Sequence, residues 1–351
     1  MITETSGNLL RDPAQALVNT VNTVGVMGKG IALQFKRAYP EVFAAYAQAC
    51  AEGRVRPGHV FPVQIADSQR WVLNFPTKRH WRQPSRLDDI RDGLDDLARL
   101  LVNLDISSVA VPPLGCGNGG LSWSVVRPLI IEKLGGLDID IRLYGPGTPD
   151  ARDMITRTAP PTMTMQLRYL IAGLARYVSA AFDAGVTHTA RLSVLEAHKV
   201  SYLLQSSGID LNLRFVPHLY GPFSPELNRI LADLEGHYLV GYGDGTGGAR
   251  ADLEVSEEAM RELALATADD AVFNRAWATV QRAIVGFEYP EGMELLATVH
   301  YLATRPGARA DVDALTDDIA DWNERKRFLF RRSDVSVALD RLHDAELVAT
   351  D

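Results

Sequence analysis

The stretch Val111-Pro-Pro-Leu-Gly-Cys-Gly-Asn-Gly-Gly-Leu-Ser-Trp123 limits the fold of this 351-residue chain more than any other. The apolar run 108–112 reads as a buried strand. It breaks into a loop with glycines at 115, 117, 119 and 120, and Ser122 then caps an apolar-periodic helix over 123–133. A strand, a glycine loop and a helix start aim several backbone N–H groups at one point with no Cβ in the way. That geometry suits phosphate. The same pattern also serves as a plain turn without a ligand.

A second loop, Asn19-Thr-Val-Asn-Thr-Val-Gly-Val-Met-Gly-Lys-Gly-Ile31, follows an apolar strand at 16–21 and leads into an amphipathic helix expected over 31–52. Gly25, Gly28 and Gly30 again precede a helix start. Two such loops in one α/β unit can hold a diphosphate between them. Lys29 precedes Gly30 and no Gly-Lys-Ser/Thr occurs, so the Walker pattern is absent, and the Rossmann spacing is absent too. The expected ligand is a diphosphate nucleotide held in some other way.

Strands expected near 16–21, 59–65, 71–76, 108–112 and 139–144 alternate with helices near 31–52, 86–104 and 123–134. That alternation predicts a three-layer α/β/α domain over 1–150. Gly145-Pro-Gly-Thr-Pro149 ends it, and a linker is expected over 151–164. Residues 165–351 read as mostly helical, with periodicities over 165–184, 190–206, 224–235, 256–286, 291–304 and 324–345. Short strands near 211–216 and 237–242 flank helix 224–235, giving a winged-helix-like unit. The glycine run 241–248 reads as its flexible wing tip, because no helix follows it directly.

Residues 1–150 hold 16 Lys/Arg and 15 Asp/Glu, whereas residues 151–351 hold 20 and 29, a net of −9. A basic DNA-binding surface in the second half is therefore disfavoured. An acidic surface that docks on a basic protein groove fits better, and an ordinary acidic domain fits as well. The acidic run 311–321 reads either as a solvated helix face or as part of such a surface. No apolar run reaches transmembrane length and the N-terminus lacks a signal pattern, so no membrane role and a cytoplasmic location are expected. Cys50 and Cys116 are too few for a disulfide framework, and Cys116 reads as a small, tightly packed loop residue. The histidines show no paired metal spacing.

Lys78 follows the apolar strand that begins at Trp71, at a strand end where loops present functional groups, and Pro76 stiffens the exit. Arg79 and Arg82 lie near enough in sequence to push its pKa down. A surface lysine that binds phosphate is the plainer reading of the same residue. Lys78-Arg-His-Trp-Arg82 is basic with interleaved aromatics, so Arg79, Trp81 and Arg82 are candidates for contact with single-stranded DNA. A solvated loop with Trp81 tucked onto the core is equally consistent.

Gly7-Asn-Leu-Leu10, the 19–31 loop and the 114–121 loop resemble the three ligand-binding segments of a macrodomain, the ADP-ribose-binding fold, over about residues 1–150. Val-Asn-Thr-Val-Asn followed by Gly-Val-Met-Gly-Lys-Gly-Ile-Ala, together with Asn74-Phe-Pro-Thr-Lys-Arg-His-Trp-Arg82, is similar to the branch holding the terminal ADP-ribose glycohydrolases and the DarG antitoxins of DarT–DarG toxin–antitoxin pairs. Leu211-Asn-Leu-Arg-Phe-Val-Pro-His-Leu-Tyr-Gly-Pro-Phe223 and the segment 234–245 resemble the C-terminal region of those antitoxins.

The resemblance implies a DNA ADP-ribosyl glycohydrolase that needs no cofactor or metal. Its partners would be ADP-ribosylated single-stranded DNA, the product ADP-ribose, and a DarT-like transferase bound through the C-terminal half. Lys78 would be catalytic, attacking the anomeric carbon of the ribose through an open-chain sugar and a Schiff base. The implied ADP-ribose contacts are Asn8 and Leu9, then Asn22, Gly28, Gly30 and Ile31, then Thr77, and finally Leu114, Gly115, Cys116, Gly117, Asn118, Gly119 and Leu121. Asn8 would sit near the adenine and Asn22 near the distal ribose. One departure stands out: the family's acidic assistant to the lysine is replaced here by Gly119. Two other readings remain open, a non-catalytic ADP-ribose reader fused to a protein-binding domain and an operator-binding regulator.

Overall fold

A computed structural model describes residues 1–66, 68–147, 150–189 and 191–349. The chain divides into two compact units, the first comprising Met1–Ala159 together with the short segment Gly243–Thr246. The second comprises Pro160–Tyr242 and the residues from Gly247 onward.

The first unit is built on β1 (Ile2–Thr5), β2 (Ala16–Asn22), β3 (Phe61–Gln64), β4 (Trp71–Lys78), β5 (Ser108–Val111) and β6 (Asp140–Tyr144), in the sheet order β1-β6-β5-β2-β4-β3. All neighbours are parallel except β3, which runs antiparallel to β4. The interior strands alternate between the two faces with the strand period of two. Val18, Leu73, Phe75, Val109 and Val111 pack on one face with Leu94, Leu97 and Leu101 of α3 (Leu87–Asn103) and Val126, Ile130 and Leu134 of α4 (Trp123–Leu134). Leu17, Val72 and Ala110 pack on the other with Phe35 and Ala38 of α1 (Gly30–Ala38) and Val42 of α2 (Pro40–Ala51). The unit is thus the three-layer α/β/α domain that the alternation implied, and the antiparallel β3 makes its sheet mixed.

The single helix expected over 31–52 is two helices. Tyr39, before Pro40, leaves the helical region with φ −138° and ψ 71°, and Pro40 opens α2 at its first position. Ser122 occupies the N-cap position of α4 but makes no cap bond; its hydroxyl pairs with Ser124. In the boundary turn 145–149, residues 148 and 149 lie outside the described residues. Within the stretch expected as linker, Ile155 packs on the α1 side of the sheet and Arg157 N donates to Arg37 O. Thr164 then caps α5 (Met165–Asp183) by accepting from Leu167 N.

The second unit is mostly helical. β7 (Arg191–Ser193) leads into α6 (Val194–Ser206) through a reciprocal capping box between Ser193 and Glu196. The hairpin β8 (Val216–His218) and β9 (Gly221–Phe223) precedes α7 (Pro225–Leu234), and β10 (Leu239–Val240) and β11 (Asp252–Val255) complete a three-stranded sheet in the order β10-β11-β7. The remaining helices are α8 (Glu257–Thr267), α9 (Ala271–Ile284), α10 (Pro290–Ala303), α11 (Val312–Trp322), α12 (Glu324–Leu329) and α13 (Arg332–Asp344). The periodicity over 256–286 is therefore split, because the Asp270 carboxylate caps a new helix by accepting from Val272 N and Phe273 N. That over 324–345 is split at Phe330, which is extended. The acidic run forms α11, which buries Leu315 and Ile319 and leaves Asp313, Asp317 and Asp321 exposed.

A charged cluster lies inside this unit. Glu294 and Lys326 are fully buried and Lys199 nearly so. Lys326 Nζ donates to Glu294 Oε1 at 2.6 Å, Arg325 clamps both oxygens of Glu294, and Lys199 Nζ donates to Pro222 O on the β9 strand. No helix of the described residues is long and apolar enough to cross a membrane.

Candidate active site

A cavity of about 790 Å³ opens outside the carboxyl ends of the parallel strands of the first unit, where open α/β sheets place their ligands. Asn22 ends β2, Lys78 ends β4 and Tyr144 ends β6, and all three line it.

Local irregularity positions Lys78. Pro76 has no N–H, and β3 pairs with β4 only as far as Asn74, so the strand tolerates a proline there. The register slips at the same point: Val21 pairs with Pro76, but Asn22 pairs with Lys78, leaving Thr77 as the extra residue of a bulge. Lys78 Nζ donates to Asn118 O at 2.6 Å and to Trp81 O at 3.1 Å. Desolvation by burial pushes its pKa below the usual lysine range.

The expected contribution of neighbouring arginines to that shift is not seen. Arg79 is held by both oxygens of Asp89 on α3, at 2.9 and 3.1 Å. Arg82 stacks its guanidinium over the Trp81 ring, 4.4 Å from the centroid, and His80 stacks on the same indole. Trp81 is 45% exposed, so it is not tucked onto the core. Trp81 and Arg82 line the cavity mouth, whereas Arg79 does not line the cavity.

The two glycine loops meet across the cavity. A Cβ at Gly30 would lie 3.1 Å from Asn118 Nδ2, which places the start of α1 against the 114–121 loop. Lys29 at the α1 N-cap makes no side-chain cap bond, so the first-turn N–H groups keep their capacity for an anion. Gly28, Gly30, Ile31, Gly115, Gly117, Asn118 and Gly119 all line the cavity, as do Leu9, Asn22 and Thr77.

Four expected contacts are placed elsewhere. Leu114 is fully buried in the core, and Cys116 and Leu121 are partly buried against that core. Burial raises the Cys116 thiol to about 11, which fits packing and not nucleophilic chemistry. The Asn8 carboxamide is bonded at both ends: Oδ1 accepts from Leu10 N in its own turn and Nδ2 donates to Asp153 O. Asn22 lines the cavity, but its carboxamide closes the 22–26 loop, accepting from Val24 N and Val26 N and donating to Val26 O.

Gly119, expected where the family's acidic assistant stands, has no room for a side chain. A Cβ there would lie 2.2 Å from Ser85 Oγ and 2.3 Å from Gly115 O, so this loop accepts no side chain at that position. Gly119 O instead accepts from Ser85 N. Among the described residues, Lys78 bonds to carbonyls and no carboxylate pairs with it.

The glycine run 241–248, expected as a flexible tip, is pinned. Gly241 N and Tyr242 N donate to the Glu235 carboxylate. Gly243 and Gly245 adopt φ of 61° and 75°, so the chain turns sharply around Asp244. Within the first unit, Gly243 O accepts from Arg37 Nη1, and Asp244 and Thr246 line the cavity. Neither residue was singled out from the sequence.

The mixed sheet and the loop-walled cavity define a macrodomain, and the macro domain family model matches residues 18–130. A DNA ADP-ribosyl glycohydrolase of Thermus aquaticus is 41% identical over 340 residues, covering 96% of this chain and 91% of that protein. A DNA ADP-ribosyl transferase–DNA ADP-ribosyl glycohydrolase fusion protein of Thermosipho africanus is 36% identical over 157 residues, 40% of each chain. The solved macrodomain of Mycobacterium tuberculosis DarG is 55% identical, covering 42% of this chain and 99% of that one, with a TM-score of 0.41. The chain belongs to the family of DNA ADP-ribosyl glycohydrolases.

Gly117 tests the diphosphate placement. Nothing lies within 4 Å of a Cβ built on it, so a side chain there projects into open cavity without disturbing the loop. Gly117→Glu is expected to weaken ADP-ribose binding by about 100-fold or more, since like charges brought together cost several kcal/mol. Titration calorimetry checks this, and wild-type affinity in the variant refutes the placement.

Proposed function

We propose that this chain hydrolyses the bond between ADP-ribose and an ADP-ribosylated DNA base, with Lys78 as the nucleophile. The observation that carries this reading is the state of the Lys78 amine. It is partly buried, it shares a cavity with both glycine loops, and its hydrogens have two carbonyl acceptors. A neutral amine has two N–H bonds. When both donate to Asn118 O and Trp81 O, the lone pair is left to attack. Attack at the anomeric carbon forms the C–N bond to lysine and breaks the bond to the base, which leaves with a proton. The ring opens to the Schiff base, and water then releases ADP-ribose and restores the amine.

Because Gly119 carries no carboxylate, water or the substrate's own groups move the protons. Trp81 offers an exposed face for an unpaired base beside the modified one, and Arg82 a cation for the backbone. Arg79, neutralised by Asp89, contributes less. Incubation with ADP-ribosylated single-stranded DNA tests the reading. Release of ADP-ribose supports it, and tight binding of ADP-ribose without release supports the reader alternative.

The second unit is proposed to bind a DNA ADP-ribosyltransferase and block its DNA groove. The support is the net −9 of residues 151–351 and the fusion of the two activities in the Thermosipho relative. A cytoplasmic site of action belongs to the same reading. Residues 160–351 expressed alone are expected to bind such a transferase, to bind DNA poorly, and to lose transferase affinity as salt rises. Tight duplex binding with no transferase binding, measured side by side, favours the operator-binding regulator.

A further inference from the structure

We propose that Asp244 reads the nucleobase of the bound ligand, accepting a hydrogen bond from an exocyclic amino group and so setting a preference for adenine. The inference rests on the reading of the cavity as a nucleoside-diphosphate-sugar site.

Asp244 is the one carboxylate among the described residues that line the cavity. It is 6% exposed and its partners are neutral donors. Oδ1 accepts from Thr246 N at 3.0 Å and from Thr246 Oγ1 at 2.5 Å, and Oδ2 accepts from Gln34 Nε2 at 3.3 Å. A carboxylate offers about four lone-pair positions. Three are used, so a position on Oδ2 is left for a donor from the ligand.

Charge decides which part of the ligand that is. A carboxylate beside a diphosphate is repelled at short range and little screened in a cavity. The diphosphate therefore lies against the glycine loops and Lys29, and Asp244 faces an uncharged part of the ligand. Topology decides which uncharged part. Gln34, the partner of Asp244, lies on α1 between Leu33 and Phe35, on the side of the sheet that carries Leu9 and Tyr144. Tyr144 ends β6, three strands from β4 in the sheet order, a separation of roughly 14 Å at about 4.8 Å per strand. α1 also packs on the turn Leu9–Arg11, and the adjoining Asp12 accepts from Tyr144 Oη and pairs with Arg142 on β6. Asp244 is therefore held toward the β6 side and Lys78 stands on the β4 side with the reacting ribose, so the nucleobase falls to Asp244. Asn8 does not compete for this role, since its carboxamide is bonded to Leu10 N and Asp153 O and it lies outside the cavity lining.

A carboxylate accepts from the amino group of adenine but meets the carbonyl of hypoxanthine with lone pair against lone pair. A buried polar group left unpaired by the wrong base is a strong discriminator. The test measures ADP-ribose and its hypoxanthine analogue, IDP-ribose, by calorimetry on the full-length protein. The wild type is expected to prefer ADP-ribose by roughly tenfold or more. Asp244→Ala should weaken ADP-ribose by a similar factor, change IDP-ribose much less, and so remove the preference. Asp244→Asn, whose amide also donates, should gain affinity for IDP-ribose. Equal loss of both ligands in Asp244→Ala, or no change in either, overturns the proposal. Gly117→Glu separates this outcome from failure of the cavity reading. If that variant loses both ligands while Asp244→Ala keeps the wild-type preference, the cavity stands and only the nucleobase assignment falls. If Gly117→Glu binds both ligands like the wild type, the cavity reading falls and takes this proposal with it.

Discussion

Lys78→Ala is expected to lower release of ADP-ribose from DNA by at least on the order of a thousandfold while changing the affinity for free ADP-ribose by less than about tenfold. A nucleophile acts in the transition state, whereas the proposed source of ground-state affinity is the pair of glycine loops. Removing the side chain frees Asn118 O and Trp81 O near solvent, where water replaces the amine at little cost. The pH profile carries an independent sign. Only the neutral amine attacks, so turnover should rise with pH and level off above the Lys78 pKa. Burial lowers that pKa, so the midpoint should fall below the ordinary lysine range. Wild-type turnover in Lys78→Ala, or a rate independent of pH across this range, refutes the lysine mechanism.

The parts of this site that were legible in the sequence are those carried by local pattern. A strand running into glycines and then a helix is visible residue by residue, and both such loops wall the cavity. The position of Lys78 at a strand end was legible from the apolar run before it, whereas its role as nucleophile rests on the family resemblance and not on that run. The bulge that aims it was only half legible: Pro76 announces an irregular ladder, but the register slip at Thr77 depends on β2. Which loop residues face the cavity was not legible. Leu114 and Cys116 alternate with Gly115 and Gly117, and only packing against the core decides which set turns inward.

Asp244 marks the other limit. It lies 210 residues from its partner Gln34, inside a polar glycine run with the composition of any exposed turn. No periodicity reports a contact of that range. The merged helices have a more ordinary cause. Apolar spacing continues across Pro40 and Asp270, so the pattern persists while the backbone breaks. A proline at the first helical position and an acidic cap are start signals, and they outweigh the periodicity that spans them.

Glu294→Ala is expected to destabilise the second unit by about 3–5 kcal/mol, the cost of removing one partner from a buried ion pair. The carboxylate accepts from Lys326 Nζ and Arg325, and both Glu294 and Lys326 are fully buried. Lys199, held by Pro222 O, depends on the same negative charge: burial and Lys326 push its pKa down to about 7, and Glu294 alone among these groups pushes it up. The sign with pH follows. Lys199 binds fewer protons folded than unfolded between about 7 and the ordinary lysine value, so its contribution to stability rises with pH across that window and is lost as pH falls through about 7. Without Glu294, protonating either lysine places an uncompensated charge in the core, so the variant should be least stable on the acidic side. Double replacement of Glu294 and Lys326 by apolar residues of similar size should recover part of the loss, because no buried charge is then stranded between them. Urea denaturation of the three proteins at several pH values reads all of this. A Glu294→Ala midpoint equal to wild type at neutral pH refutes the claim that this carboxylate holds the cluster.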